Sequence, residues 1–177
     1  LEAPALHWLS GYAAGLAAQV QRGARPALAV AAPETAAEAR LTVIYGSQTG
    51  NARREAEKIA AEAEAAGLAV RLQRADAYPL RELASERLLY VVISTQGDGD
   101  SPDDAHVFVE FLSGRRAPAL KDLRYAVLGL GDSSYPQFNA IGRRVDARLA
   151  ELGATRLFAA GEADVDVDSV AAPWRQL

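Results

Sequence analysis

From Leu41 onward, short apolar runs alternate with stretches whose apolar residues recur every three or four positions. Leu41-Thr-Val-Ile-Tyr45 is a compact, partly β-branched run and reads as a buried strand. Between Asn51 and Ala66, the residues Ala52, Ala56, Ile59, Ala60 and Ala63 share one helical face, and Gly67 predicts the stop. A second strand is expected over Leu68–Leu72 and a third over Arg87–Ser94. The third is apolar at both parities, which places it in the middle of a parallel sheet covered on both faces. Next comes a helix over Ala105–Leu112 with Phe108, Phe111 and Leu112 turned inward, then a fourth strand over Tyr125–Leu130. Phe138, Ile141, Val145, Leu149 and Leu152 form a helical stripe that Gly153 ends. A fifth strand is expected over Thr155–Phe158 and a last helix over Val167–Leu177. Strands separated by helices predict a doubly wound α/β fold, because parallel strands need crossover connections.

Before Leu41 the pattern differs. Trp8, Tyr12, Leu16 and Val20 fall four apart and suggest one stripe of a helix within residues 1–22. Residues 23–40, an Ala/Pro/Glu mixture without apolar period, read as a flexible linker to a domain over 41–177. No internal repeat is visible.

Composition narrows the classes. A chain of 177 residues is one domain with at most an appendage. Half of it is hydrophobic, enough to build a core without staples. The absence of cysteine excludes disulfides, thiolate metal sites, iron–sulfur clusters and a cysteine nucleophile. A net charge of −4 argues against nucleic acid as partner. No apolar run approaches the ~20 residues of a membrane span, and no signal-peptide pattern opens the chain, so a cytoplasmic location is the expectation. Starting at Leu1 and lacking methionine, the sequence is expected to be part of a longer chain.

In doubly wound sheets ligands sit beyond the carboxyl ends of the strands, where strand order reverses. The loops after strands one, three and four therefore carry the candidate chemistry. The first, Gly46-Ser-Gln-Thr-Gly-Asn51, opens a helix with hydroxyl and amide donors, a setting suited to an anion. It has no Lys as a Walker A loop would and no G-x-G-x-x-G, so it suits a terminal phosphate monoester held by neutral donors. The same residues also serve as an ordinary N-cap and turn.

The second loop, Ser94-Thr-Gln-Gly-Asp-Gly-Asp-Ser-Pro-Asp-Asp104, has glycines that let backbone approach a flat ligand. Of its aspartates Asp98, Asp100, Asp103 and Asp104, the last two suit a helix start, where the dipole favours carboxylates; the cluster also admits a divalent metal site or an acidic rim for a basic partner. The third loop, Gly129-Leu-Gly-Asp-Ser-Ser-Tyr-Pro-Gln-Phe-Asn139, offers Tyr135 as an aromatic face. Together the three loops describe a site for a mononucleotide with a large flat heterocycle. His7 and His106, the only histidines, lie far apart, which leaves no histidine pair for catalysis or metal. Arg53 and Arg54 sit in a helix first turn, against the dipole, as solvated surface charge or as an aid to the phosphate or a partner.

The set S-Q-T-G-N-A at 47–52, S-T-Q-G-D-G at 94–99 and L-G-D-S-S-Y at 130–135 resembles the loops of flavodoxin-like FMN domains in diflavin reductases. The resemblance covers residues 41–177. Within that superfamily the T-G-N-A-R-R continuation, and Trp8-Leu-Ser-Gly-Tyr12 followed by an alanine-rich linker, look most like the flavoprotein α-components of NADPH-dependent sulfite reductases. The resemblance implies a five-stranded parallel sheet of order 2-1-3-4-5 with helices on both faces. It implies that Ser47, Gln48, Thr49, Gly50, Asn51 and Ala52 hold the FMN phosphate. Ser94, Thr95, Gln96 and Gly97 would follow one isoalloxazine edge. Leu130, Gly131, Asp132, Ser133, Ser134, Tyr135, Pro136, Gln137, Phe138 and Asn139 would wrap the other, with Tyr135 stacked on the ring. Asp164 aligns with an acidic position near the flavin. Gln96 stands where microsomal-type reductases carry tyrosine, which removes a second stacking aromatic, whereas Phe138-Asn139 is closer to the microsomal version.

By the same resemblance, FMN takes electrons from an FAD/NADPH reductase domain of the parent chain and passes them singly to a sulfite reductase haemoprotein, and residues 1–22 assist oligomerisation. The fragment alone would carry electrons without oxidising NADPH. Asp98 and Asp132 are candidates for tuning the flavin potential through like-charge repulsion. Gly97 and Gly99 are candidates for a peptide that reorients beside the ring. Other readings are an FMN domain of a cytochrome monooxygenase reductase, an interaction module on an empty flavodoxin scaffold, and a phosphate-switched receiver domain. The last would need an acidic pair after strand one, an Asp after strand three and a Lys after strand five. This sequence has Gly46-Ser47, Ser94-Thr95 and no such Lys.

Overall fold

The computed structural model describes residues 40–177. The expected helix within 1–22, and the expected linker apart from Arg40, lie outside the described residues. Strands β1 (Leu41–Gly46), β2 (Val70–Arg74), β3 (Leu88–Ser94) and β4 (Arg124–Leu130) pair in parallel, with β5 (Thr155–Arg156) and β6 (Gly161–Ala163) both beside β4. The order is β2-β1-β3-β4-β5, with β6 continuing the outer position along the second half of β4. Helices α1 (Asn51–Ala65), α2 (His106–Ser113), α3 (Ala140–Glu151) and α4 (Val167–Arg175) complete the layers. This is the doubly wound, five-rung parallel sheet expected from the alternation of patterns.

Alternating side chains feed two cores. Ile44, Leu89, Val91, Ile93, Tyr125 and Val127 face one side and pack with Phe108 and Leu112 of α2 and Ile141, Val145 and Leu149 of α3. Leu41, Val43, Val92, Ala126, Leu128 and Leu130 face the other and pack with Ala52, Ala56 and Ile59 of α1 and Ala171 and Trp174 of α4. Both parities of β3 and β4 are apolar because both faces are covered.

Element ends move where local bonding competes with the apolar pattern. The expected strand from Leu68 begins instead at Val70. Leu68 N–H bonds Ala63 O at 3.0 Å and Gly67 N–H bonds Glu64 O at 2.9 Å, so Leu68 is consumed in closing α1. Phe138 lies before α3 and is only half-buried, so the apolar stripe expected from Phe138 starts at Ile141. The fifth rung breaks after Arg156. There Phe158 leaves the strand line to pack edge-on against Trp174 and Tyr90, with centroids 5.1 and 6.0 Å apart, and Ala159 O accepts the Trp174 Nε1–H at 3.2 Å. Among the described residues, no helix is long and apolar enough to cross a membrane.

Candidate functional site

The loops after β1, β3 and β4 meet at the carboxyl edge of the sheet, as the topology requires. Gly46 ends β1 where a Cβ would stand 2.5 Å from Ala105 Cβ. Only a glycine lets the short 3₁₀ turn Asp103–Ala105 abut the strand end there. That approach delivers the Asp104 carboxylate to the Ser47 backbone N–H at 2.9 and 3.2 Å. Burial pushes the Asp104 carboxyl up, opposed by the Ser47 N–H.

Ser47 Oγ in turn accepts the Gly50 N–H at 3.0 Å, and Gly50 adopts φ 86, a left-handed conformation that favours glycine. The first backbone bond into α1 runs from Arg54 N–H to Gly50 O at 3.0 Å, and no side chain caps the helix. The N–H groups of Asn51, Ala52 and Arg53 therefore precede the first intrahelical bond, at the positive end of the helix.

The second loop is tied at several points. Ser94 Oγ donates to Gly46 O at 3.3 Å, and Thr95 N–H donates to Leu130 O at 2.8 Å. Thr95 Oγ1 accepts the Ile141 N–H at 3.1 Å, so this hydroxyl caps α3 from another loop. Gln96 and Asp100 exchange backbone bonds at 3.0 and 2.9 Å around Gly97 and Gly99, at φ 51 and 107. Gln96 Nε2 donates to Ser101 O at 3.1 Å, which directs that side chain into its own loop.

The third loop folds as successive turns: Tyr135 N–H to Asp132 O at 3.1 Å, then Phe138 N–H to Tyr135 O at 3.2 Å. Asp132 Oδ1 accepts from Ser134 N–H and Oγ–H. Asp164, just past β6, accepts the N–H groups of Ser133 at 2.9 Å and Val165 at 2.8 Å, and these bonds hold its carboxyl below the usual carboxylate range. Tyr135 is 49% exposed.

Between these loops lies an open cleft of about 290 Å³, lined by Thr49, Asn51, Ser94, Thr95, Leu130, Gly131, Asp132, Asp164, Val165 and Val167. One end is the open start of α1, the floor is the β3 and β4 strand ends, and the far wall is the segment after β6. The expected residues from all three loops are thus brought together, though with different parts to play. Thr49, Asn51, Ser94, Thr95, Leu130, Gly131 and Asp132 form walls. Ser47 and Gly50 shape the first loop from behind, Ala52 is buried against the sheet, and Gln48 is exposed beside them. Gln96 and Gly97 belong to the tight turn, and Ser133, Ser134, Tyr135, Pro136 and Gln137 stand exposed on the rim.

Phe138 packs under the Arg143 guanidinium at 5.8 Å. Asn139 is fully buried at φ 53, and its Nδ2 donates to Ala163 O at 3.3 Å, so it braces β4, α3 and β6 from behind the cleft. Asp164 lines the same cleft. Val165 and Val167 were missed: they follow the outer strand, and the signal for them was apolar residues alternating with Asp164, Asp166 and Asp168.

The arrangement suits FMN. An anionic group fits the uncapped helix start with its Thr49 and Asn51 side chains, and a flat ring system fits the open slot beside Leu130 and Gly131. A second cleft, of about 200 Å³, lies near Leu41, Leu88 and Trp174 at the opposite ends of the strands, and the Arg175 guanidinium in its wall is paired with Glu55 and Glu62.

Known proteins bear on this site. The chain is 46% identical over 175 residues to the sulfite reductase [NADPH] flavoprotein alpha-component of Pectobacterium atrosepticum, covering 97% of this chain and 29% of that protein. It is 47% identical over 169 residues to the protein of the same name from Yersinia enterocolitica, covering 96% of this chain and 28% of that one. The chain thus spans under a third of the length of these relatives. In fold it is similar to a Streptococcus pneumonia TIGR4 flavodoxin, with TM-score 0.68, 22% identity, and coverage of 77% of this chain and 95% of that one. A short-chain flavodoxin associated with a bacterial microcompartment matches with TM-score 0.67, 20% identity, and coverage of 77% and 94%. The flavodoxin family model matches residues 43–173, so strand order, loop placement and sequence agree, and the chain belongs to the flavodoxin family.

Proposed function

We propose that the cleft binds FMN and that the chain is the electron-transferring FMN domain of an NADPH-dependent sulfite reductase flavoprotein. The observation that carries this reading is the convergence of the β1, β3 and β4 loops on one open cleft, with an uncapped helix start at one end. Similarity to the sulfite reductase flavoproteins supports the choice of parent enzyme.

Bound FMN supplies one-electron chemistry between a two-electron donor and a one-electron acceptor. The chain's own residues do the rest. Thr49, Asn51 and the first turn of α1 would grip the phosphate, on a loop that Ser47 and Gly50 shape from behind. Ser94, Thr95 and the Gln96–Asp100 turn border one ring edge, while Gly131, Asp132 and Tyr135 border the other. Asp132 and Asp164 place negative charge beside the ring, which disfavours added negative charge there. The donor is an FAD/NADPH reductase domain of the parent chain. The acceptor is a cytoplasmic sulfite reductase haemoprotein that converts sulfite to sulfide for sulfur assimilation.

The first experiment is direct. Purified chain titrated with FMN should quench flavin fluorescence at one equivalent and turn yellow; a colourless protein and a flat titration would leave only an empty scaffold. The second mixes chemically reduced, FMN-loaded chain with a sulfite reductase haemoprotein and with a cytochrome monooxygenase. Selective oxidation by the first supports the assignment, and selective oxidation by the second moves the chain to the other reductase class.

A further inference from the structure

We propose that Arg54 makes this site selective for the phosphorylated flavin, by fixing the Asn51 amide and by supplying positive charge beside the phosphate loop. The inference rests on the FMN reading above and adds a specificity-determining residue to it.

The first turn of α1 contains no acidic residue and two arginines, the reverse of what the helix dipole favours. Arg53 is neutralised locally, with Nε donating to Glu57 Oε1 at 2.8 Å one turn on. Arg54 has no carboxylate partner among the described residues. Its guanidinium donates instead to Asn51 Oδ1, a neutral acceptor.

The neighbouring polar groove, shared by Asn51, Arg54, Glu55, Lys58, Asp166 and Asp168, explains why this matters. Lys58 is bound to Glu55 at 2.7 Å and to Asp168 at 2.8 Å, and Glu55 also pairs with Arg175. Arg54 is therefore the cation of this groove with charge left uncommitted among the described residues.

Asn51 divides this groove from the flavin cleft, since it lines both. A guanidinium only donates, so the amide atom facing Arg54 is Oδ1, and the Nδ2 donors are left for the cleft side. Arg54 also lies along the helix start: its Nη1 is 3.8 Å from the point where a Gly50 Cβ would stand. Orientation of a donor and nearby positive charge both favour an anion over a neutral hydroxyl, and neither helps the ring of the ligand bind.

The test compares FMN with riboflavin, which lacks the phosphate, by flavin-fluorescence titration of wild type, Arg54→Gln, Arg54→Lys and Arg53→Gln. Thermal melts of the ligand-free proteins check the fold. Arg54→Gln should weaken FMN binding about fivefold or more while riboflavin stays within about twofold, and its FMN affinity should depend less on salt. Arg54→Lys should restore the salt dependence, and Arg53→Gln, which removes a charge already paired with Glu57, should weaken FMN binding less than Arg54→Gln does.

Equal weakening of both ligands by Arg54→Gln, or an unchanged FMN-to-riboflavin ratio, would overturn the role of Arg54 while leaving FMN binding intact. Failure of the wild type to bind either flavin would remove the FMN reading itself, and this inference with it.

Discussion

The Asp104 carboxylate and the Ser47 backbone N–H, separated by 57 residues, meet at 2.9 Å where the end of β1 becomes the first loop of the cleft. The bond joins the second loop to the first, and partial burial there pushes the carboxyl up. Asp104→Ala leaves the Ser47 N–H without its acceptor and should destabilise the ligand-free protein by about 1–3 kcal/mol. It should also weaken FMN binding, because the loop loses its anchor. Asp104→Asn keeps an acceptor oxygen and should recover most of both. Urea midpoints and flavin titrations of the two variants check this.

Gly142 in α3 gives a prediction against helix propensity. Glycine to alanine inside a helix ordinarily gains up to about 1 kcal/mol. Here a Cβ would stand 2.9 Å from the Cα of Gly129 in β4, beside the buried Asn139. Gly142→Ala should therefore destabilise the domain by about 1–3 kcal/mol through overpacking. Chemical denaturation gives the sign directly, and a stabilised variant would mean that α3 shifts away from β4 without cost.

Asp164 sets a pH dependence. Its carboxyl is held below the ordinary value of 3.8 by hydrogen bonds from Ser133 and Val165. A depressed carboxyl contributes stability that is complete above pH 3.8 and is lost as pH falls through the lower folded-state value. Asp164→Asn should accordingly be less stable than wild type at neutral pH, with the gap closing in strong acid. Denaturation midpoints of the two proteins across that range test the sign, and a gap constant with pH would show that charge plays no part.

Tyr135 separates binding from folding. Its side chain is 49% exposed. Tyr135→Ala should leave the ligand-free protein within about 0.5 kcal/mol of wild type. Flavin affinity should drop by about 0.5–1.5 kcal/mol, the scale of an aromatic stacking contact. Paired melts and flavin titrations read both quantities.

Sequence alone determined the layer architecture and the location of the site. The both-parity apolar run at 89–93 reads as a strand covered on two faces, and doubly wound sheets place ligands at the strand carboxyl ends. The loops that hold Thr49, Asn51, Ser94 and Asp132 were legible from their glycines and donors at strand ends, and the individual residues from the resemblance of those loops to flavodoxin-like FMN domains. Tertiary structure decided what each of them faces. Asn139 carries polar atoms that sequence assigns to the site, yet it is turned inward to Ala163. Thr95 spends its hydroxyl on the start of α3, and Val165 reaches the cleft from beyond the outer strand. The physical reason is that periodicity reports which residues share a face of one element. The partner of a polar side chain is set by contacts between elements distant in sequence, such as Asp104 with Ser47 or Asp164 with Ser133.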